Sequence, residues 1–185
     1  AMSGETNHLI ELTKQNITEQ QQHILSLHQK YLGFLDELVR EKVPKDWAKQ
    51  IMAKWFARFL EINDQDQPSE LRNNELLALG ERLSTLMMAA LLKSQKISCK
   101  LLFAEELLHL DENRLPNYER LAEQVKQKRI GNDGCEIYIV QGFICADHLG
   151  NIDNLDRGGS DYSASIFGKA IGADAYCRDA AVAVE

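Results

Sequence analysis

The sequence predicts a layered α/β domain with a helix-rich first half. Three observations carry that reading. The first hundred residues repeat apolar side chains at three- and four-residue intervals, the signature of amphipathic helices. Later, extended runs, glycine turns and helical stretches alternate. The sharpest junction is the run Ile137-Tyr-Ile-Val-Gln-Gly-Phe-Ile-Cys145, followed by Leu155-Asp-Arg-Gly-Gly-Ser-Asp-Tyr-Ser-Ala164. A strand, a glycine turn and a helix N-terminus together make an anion-binding geometry.

Taken in order, residues 1–7 read as a loop in which Ser3 or Thr6 can cap the following helix. Leu9, Ile10 and Leu12 begin an apolar face. The strongest early helix is expected over 18–42, with Ile24, Leu27, Tyr31, Leu35, Leu38 and Val39 on one side. Gly33 costs it roughly 1 kcal/mol against alanine without ending it. Asp46, after Pro44, is expected to cap a second helix whose Trp47, Trp55 and Phe59 face the core. A polar connection over 61–69 precedes a third helix over about 70–94.

A short strand is expected from Ile97 to Leu102, a helical turn from Ala104 to Leu108 and a helix from Tyr118 to Lys128. Gly131-Asn-Asp-Gly134 is a turn. One strand is expected over 136–145, a hairpin turn over 147–154 and a helix over 159–171, with Ser160-Asp161 able to cap that last helix. The helices of the first half are expected to cover the sheet.

The chain has 185 residues, enough for one domain with a real core. A net charge of −7 argues against nucleic-acid and anionic-membrane partners. No run approaches the length of a membrane span, no secretory signal is visible, and the four cysteines at 99, 135, 145 and 177 form no metal spacing. A cytoplasmic protein with reduced thiols is the simplest expectation.

Candidate chemistry concentrates in two places. Arg157 offers a rigid fork of donors suited to a carboxylate or phosphate. Asp161, four residues on, adds a fixed negative charge, and a site of both signs suits a zwitterion. An Arg-Gly-Gly turn can also be purely structural. Glu81 and Arg82, inside the third helix, read either as a surface pair or, for Glu81, as a cleft residue able to grip an ammonium group. The histidines at 8, 23, 28, 109 and 148 assemble no metal set. No Gly-x-x-x-x-Gly-Lys-Ser/Thr loop, Gly-x-Gly-x-x-Gly fingerprint or Gly-x-Ser-x-Gly elbow occurs.

Three segments resemble aspartate kinase: Ala1-Met-Ser-Gly-Glu-Thr-Asn7, Leu76-Leu-Ala-Leu-Gly-Glu-Arg-Leu-Ser84, and Gln141-Gly-Phe-Ile144 through Arg157-Gly-Gly-Ser-Asp-Tyr-Ser-Ala164. The resemblance covers nearly all of residues 1–174. It implies part of the amino acid kinase fold, a mainly parallel sheet flanked by helices, filling 1–185 with no regulatory ACT domain. It implies transfer of the γ-phosphoryl group of MgATP to the side-chain carboxylate of L-aspartate, so ATP and Mg2+ are the expected cofactors. By the same resemblance Thr6, Glu81, Arg157, Ser160 and Asp161 line the aspartate site. Arg157 and Asp161 are the expected catalytic residues, and Gly158, Gly159 and Ser160 lie beside the nucleotide.

The family's Lys-Phe-Gly-Gly strand would lie before Ala1, and residues 176–185 depart from the family pattern. The parent protein is therefore expected to be an aspartate kinase and the 185-residue species inactive or incomplete. Exposed sheet edges make a homo-oligomer conceivable. Alternatives are a kinase of another small amino acid or carboxylate, a fusion to homoserine dehydrogenase, and a non-catalytic helical α/β interaction module.

Overall fold

The computed structural model describes residues 5–64, 69–155 and 158–173. The chain forms two compact units. One comprises 1–102 with 135–139, the other 103–134 with 140–185.

The first unit is helical. Helix α1 (Glu5–Leu12) starts earlier than expected, so residues 5–7 are helix rather than loop. Helix α2 (Ile17–Leu38) is capped by Asn16, whose side chain accepts the Glu19 N–H at 2.9 Å. Helix α3 (Lys42–Asp64) carries Pro44 in its first turn, where no intrahelical donor is lost. It therefore begins one turn before Asp46, which lies inside the helix and pairs with Lys42 instead of capping.

Helix α4 (Ser69–Ser94) buries Leu76, Leu79, Leu83, Leu86 and Ala90. These pack with Ile24, Tyr31, Leu35, Met52, Phe56 and Phe59 into one core, in which each fully buried large side chain contributes about 1.5–3 kcal/mol. Phe59 is buried as expected, whereas Trp47 and Trp55 are half-buried at its margin beside Lys93 and Arg82. Helix α4 ends in a Schellman motif: Ile97 N–H bonds Leu92 C=O, Lys96 N–H bonds Lys93 C=O, and Lys96 is left-handed at φ 62°. Strand β1 (Cys99–Leu102) follows and pairs with β2 (Ile137–Val140).

The second unit is a small mixed layer. Helix α5 (Ala104–Leu107) receives its first amide bond from outside: Ala104 N–H donates to the fully buried Gln141 Oε1 at 2.9 Å. The segment after it runs parallel to β3 (Ile144–Ala146), with a bridge between His109 and Ala146. Helix α6 (Tyr118–Gln127) is capped by Asn117 and closes with a second Schellman motif at Arg129.

Strand β3 forms an antiparallel hairpin with β4 (Ile152–Asn154), pairing Ile144 with Asn154 and Ala146 with Ile152. The turn expected over 147–154 is shorter, closing between Asp147 and Asn151 because 152–154 is strand; Asp147 Oδ1 accepts the N–H groups of Leu149 and Asn151, with Gly150 at φ 88°. Helix α7 (Gly159–Ile171) has the expected bounds. Cys99, Cys135 and Cys145 are in no disulfide, and Cys177 lies outside the described residues. Among the described residues no helix is long and apolar enough to cross a membrane.

Candidate functional site

The single strand expected over 136–145 is two strands, β2 and β3, broken at Gln141–Phe143. The break is a tight turn. Ile144 N–H donates to Gly142 C=O at 2.8 Å across Phe143, which sits at φ 70°. That is a γ-turn of the rare hand, and a bulky residue there is strained by about 1–3 kcal/mol. The surroundings hold it in place. Phe143 N–H donates to Ser163 Oγ at 3.3 Å, and Phe143 C=O accepts Leu155 N–H at 2.7 Å.

The N-terminus of α7 is seated on this turn at contact distance. A Cβ on Gly142 would lie 3.1 Å from both Cβ and Oγ of Ser160. A Cβ on Gly159 would lie 2.8 Å from Leu155 Cβ and 3.1 Å from Phe143 Cδ2. Two glycines from separate segments thus remove the side chains that would hold the segments apart. Gly158 has a different job. It is exposed, has open space around its Cα, and sits at φ 84°, which disfavours any residue with a Cβ.

Gly158, not Ser160 or Asp161, is the N-cap of α7, and it supplies no side-chain cap bond. Ser160 and Asp161 belong to the first turn, Ser160 exposed and Asp161 half-buried, so neither caps the helix as expected. The first amide with an intrahelical acceptor is that of Tyr162, which bonds Gly158 C=O at 3.1 Å. Helix geometry leaves the Gly159, Ser160 and Asp161 amides without an intrahelical acceptor, a ready position for an anionic group. Asp161 in the same turn favours a ligand that also carries positive charge. Arg157 lies outside the described residues.

The other candidates are in the first unit. Thr6 falls in α1, and its side chain lies outside the described residues. Glu81 is half-buried on α4, and its backbone carbonyl accepts the hydroxyls of Ser84 and Thr85. Arg82 is not a surface residue. It is buried against Glu75, with Nη1 to Oε2 at 3.0 Å, and its guanidinium lies 5.8 Å from the Trp55 ring. Pattern alone misses this because Glu75 and Arg82 are seven residues apart, two helical turns, and share one face.

Sequence reasoning also misses the partners that shape the α7 seat. Ser163 sits in the quoted motif without an assigned role, and Arg114 has no motif at all. Arg114, left-handed at φ 61°, donates from Nη1 to Asp153 Oδ2 at 2.7 Å and from Nη2 to Asn154 C=O at 3.2 Å.

Residues 1–177 match the family model described as "Amino acid kinase family". An aspartokinase of Chlamydia pneumoniae is 25% identical over 169 residues, covering 90% of this chain and 36% of the relative. An aspartokinase of Chlamydia trachomatis is 29% identical over 140 residues, covering 73% of this chain and 32% of the relative. The chain thus spans about a third of the length of these curated relatives.

Among solved structures, Escherichia coli aspartokinase III in complex with lysine and aspartate superposes with a TM-score of 0.76 at 20% identity, over 93% of this chain and 39% of that one. The aspartate and ADP complex of the same enzyme gives 0.73 at 21% identity, again over 93% and 39%. These likenesses fix the fold. With Gly142 and Gly159 joining α7 to the turn before β3, and with the family model matched across almost the whole sequence, the chain belongs to the amino acid kinase family.

Proposed function

We propose that this chain carries the substrate side of an aspartate kinase, which transfers the γ-phosphoryl group of MgATP to the side-chain carboxylate of L-aspartate and yields 4-phospho-L-aspartate. The observation that carries the reading is the seat of α7. Its first-turn amides, its acidic Asp161 and the preceding Arg157 form one short segment of both signs. The relatives support the choice of substrate, being aspartokinases, and one superposed neighbour is a complex with aspartate and ADP.

In this reading Arg157 grips a substrate carboxylate with two parallel donors. Ser160 and Asp161 are its neighbours on the aspartate, and the roles of Glu81 and Thr6, an ammonium contact and an aspartate contact, are taken from the family resemblance. Gly158, Gly159 and Ser160 lie on the phosphate side, where the open space at Gly158 lets phosphoryl oxygens approach the helix amides. Mg2+ arrives as part of the MgATP substrate. The acceptor carboxylate is ionised near neutral pH, so no general base is required. The protein's work is to orient the two reactants and stabilise charge on the phosphoryl group in flight. A cytoplasmic location belongs to the same reading.

The test is calorimetric titration of L-aspartate into the 185-residue chain, followed by incubation with MgATP, L-aspartate and hydroxylamine to trap the acyl phosphate. Saturable aspartate binding that weakens in Arg157→Lys supports the reading. Binding of L-glutamate, N-acetylglutamate or carbamate in place of L-aspartate moves the chain to another substrate within the family.

A further inference from the structure

We propose that Arg114 is a positioning residue for the N-terminal turn of α7, acting through β4. The proposal uses the aspartate reading only for the ligand that reports on it.

Arg114 lies in the loop before α6. Asp111 closes that loop on itself. Its Oδ1 accepts the N–H groups of Asn113 and Leu115 at 2.8 and 2.9 Å, its N–H donates to Leu115 C=O at 2.8 Å, and its C=O accepts Arg114 N–H at 3.0 Å. A loop bonded in this way holds Arg114 in the left-handed region, at φ 61°, a conformation that residues other than glycine, asparagine and aspartate seldom adopt. The side chain then reaches a residue 39 positions further along the sequence.

What it grips there is the residue pair Asp153–Asn154. The guanidinium takes the Asp153 carboxylate and the Asn154 carbonyl, while the other oxygen of Asp153 accepts the Asn154 N–H at 2.7 Å. The Asp153 side chain is only 9% exposed, so the Arg114 contact is made largely out of water. Asn154 is thus held on both its N–H and its C=O. The next residue is Leu155, whose N–H bonds the γ-turn at Phe143 and whose Cβ stands against Gly159. The path from Arg114 to the first turn of α7 therefore runs through a gripped residue pair, one residue and a contact with no slack.

Charge balance alone does not account for the arrangement, because the second donor is spent on a neutral carbonyl. This distinguishes Arg114 from a simple counter-ion. Lysine would keep the charge but could not reproduce the planar fork.

The test uses the 185-residue chain and the variants Arg114→Lys and Arg114→Met, with amide hydrogen exchange read residue by residue and L-aspartate affinity read by titration. In Arg114→Lys the melting temperature stays close to that of the unsubstituted chain. Exchange rises about tenfold at Leu155 and Tyr162, whose amides bond Phe143 and Gly158, while the α6 amides are unchanged. The aspartate Kd weakens by about tenfold, in keeping with the sensitivity of oriented sites to small displacements. Arg114→Met shows the same local pattern more strongly.

Unchanged exchange at Leu155 and Tyr162 in both variants overturns the proposal. So does a rise spread evenly over 103–134 and 140–173, which marks Arg114 as merely structural. If the unsubstituted chain binds no aspartate while the local exchange pattern appears, the positioning role stands and the aspartate reading falls.

Discussion

Replacing Gly159 by alanine separates two effects of opposite sign. By helix propensity alone alanine is better than glycine by up to about 1 kcal/mol. The geometry says otherwise. The added methyl would stand 2.8 Å from Leu155 Cβ, a backbone-anchored atom that cannot swing aside, and 3.1 Å from Phe143 Cδ2. Restoring an ordinary separation of about 3.6 Å requires a shift of roughly 0.8 Å between α7 and the β4 end. Overpacking on that scale costs about 1–3 kcal/mol.

Urea unfolding of Gly159→Ala should therefore show a lower midpoint with an unchanged slope. Thermal unfolding should show a fall of roughly 2–12 °C, given about 2–4 °C per kcal/mol for a chain of this size. Aspartate affinity should fall with it. A variant as stable as the unsubstituted chain, or more stable, would show that α7 is not seated on Leu155 and Phe143.

Other outcomes follow from the same geometry. Gly158→Ala should cost about 1–2 kcal/mol through its positive φ alone, whereas Gly158→Asn should cost less, as denaturant titration of both will show. Arg82→Met should destabilise by about 1–3 kcal/mol because it leaves the buried Glu75 carboxylate with only the longer, more exposed Arg58 contact at 3.5 Å among its ion pairs, and Glu75→Gln/Arg82→Met should recover most of that loss; equal losses in both would refute the pair.

Lys96→Gly should stabilise the chain by about 1 kcal/mol, since it fills the left-handed position of the α4 Schellman motif with the residue that suits it; the unfolding midpoint reads this directly. Burial, and then the nearby Arg120 guanidinium, hold the His109 imidazole below its ordinary pKa. Its contribution to stability is thus complete above about pH 6.5 and is lost as pH falls through the folded-state value. His109→Gln should flatten the fall in melting temperature between pH 7.5 and 5, and an unaltered slope would remove His109 as a cause.

Much of the fold was legible because it follows local rules. The apolar stripe of α4 and the glycines around α7 mark those helices within a residue or so of where they lie. What escaped was set by contacts far apart in sequence. An unbroken run from Ile137 to Cys145 reads as one strand, because β-branched and aromatic residues favour extension, yet Ser163 and Leu155 hold Phe143 in a γ-turn. Arg82 looked like a surface residue on an amphipathic helix, and only the placement of Glu75 and Trp55 makes it a buried one. Around the α7 seat, the glycines stood out by type and spacing, but Arg114, reaching Asp153 across 39 residues, left no local mark.

The path of the backbone between the two units has a consequence for how the chain acquires its structure. It leaves the first unit after Leu102, completes residues 103–134 of the second, returns for Cys135–Ile139, and departs again. β1 therefore waits for a partner more than thirty residues downstream, and its edge stays open until β2 arrives. The helices of the first unit can collapse on local contacts, but its sheet closes only after an intervening loop has been ordered, the slow kind of step in folding. No single cut yields either unit whole. A protein stopped at Gly134 would hold every helix of the first unit and an unpaired β1 edge, which makes the last short return of the chain the event that hides a sticky strand.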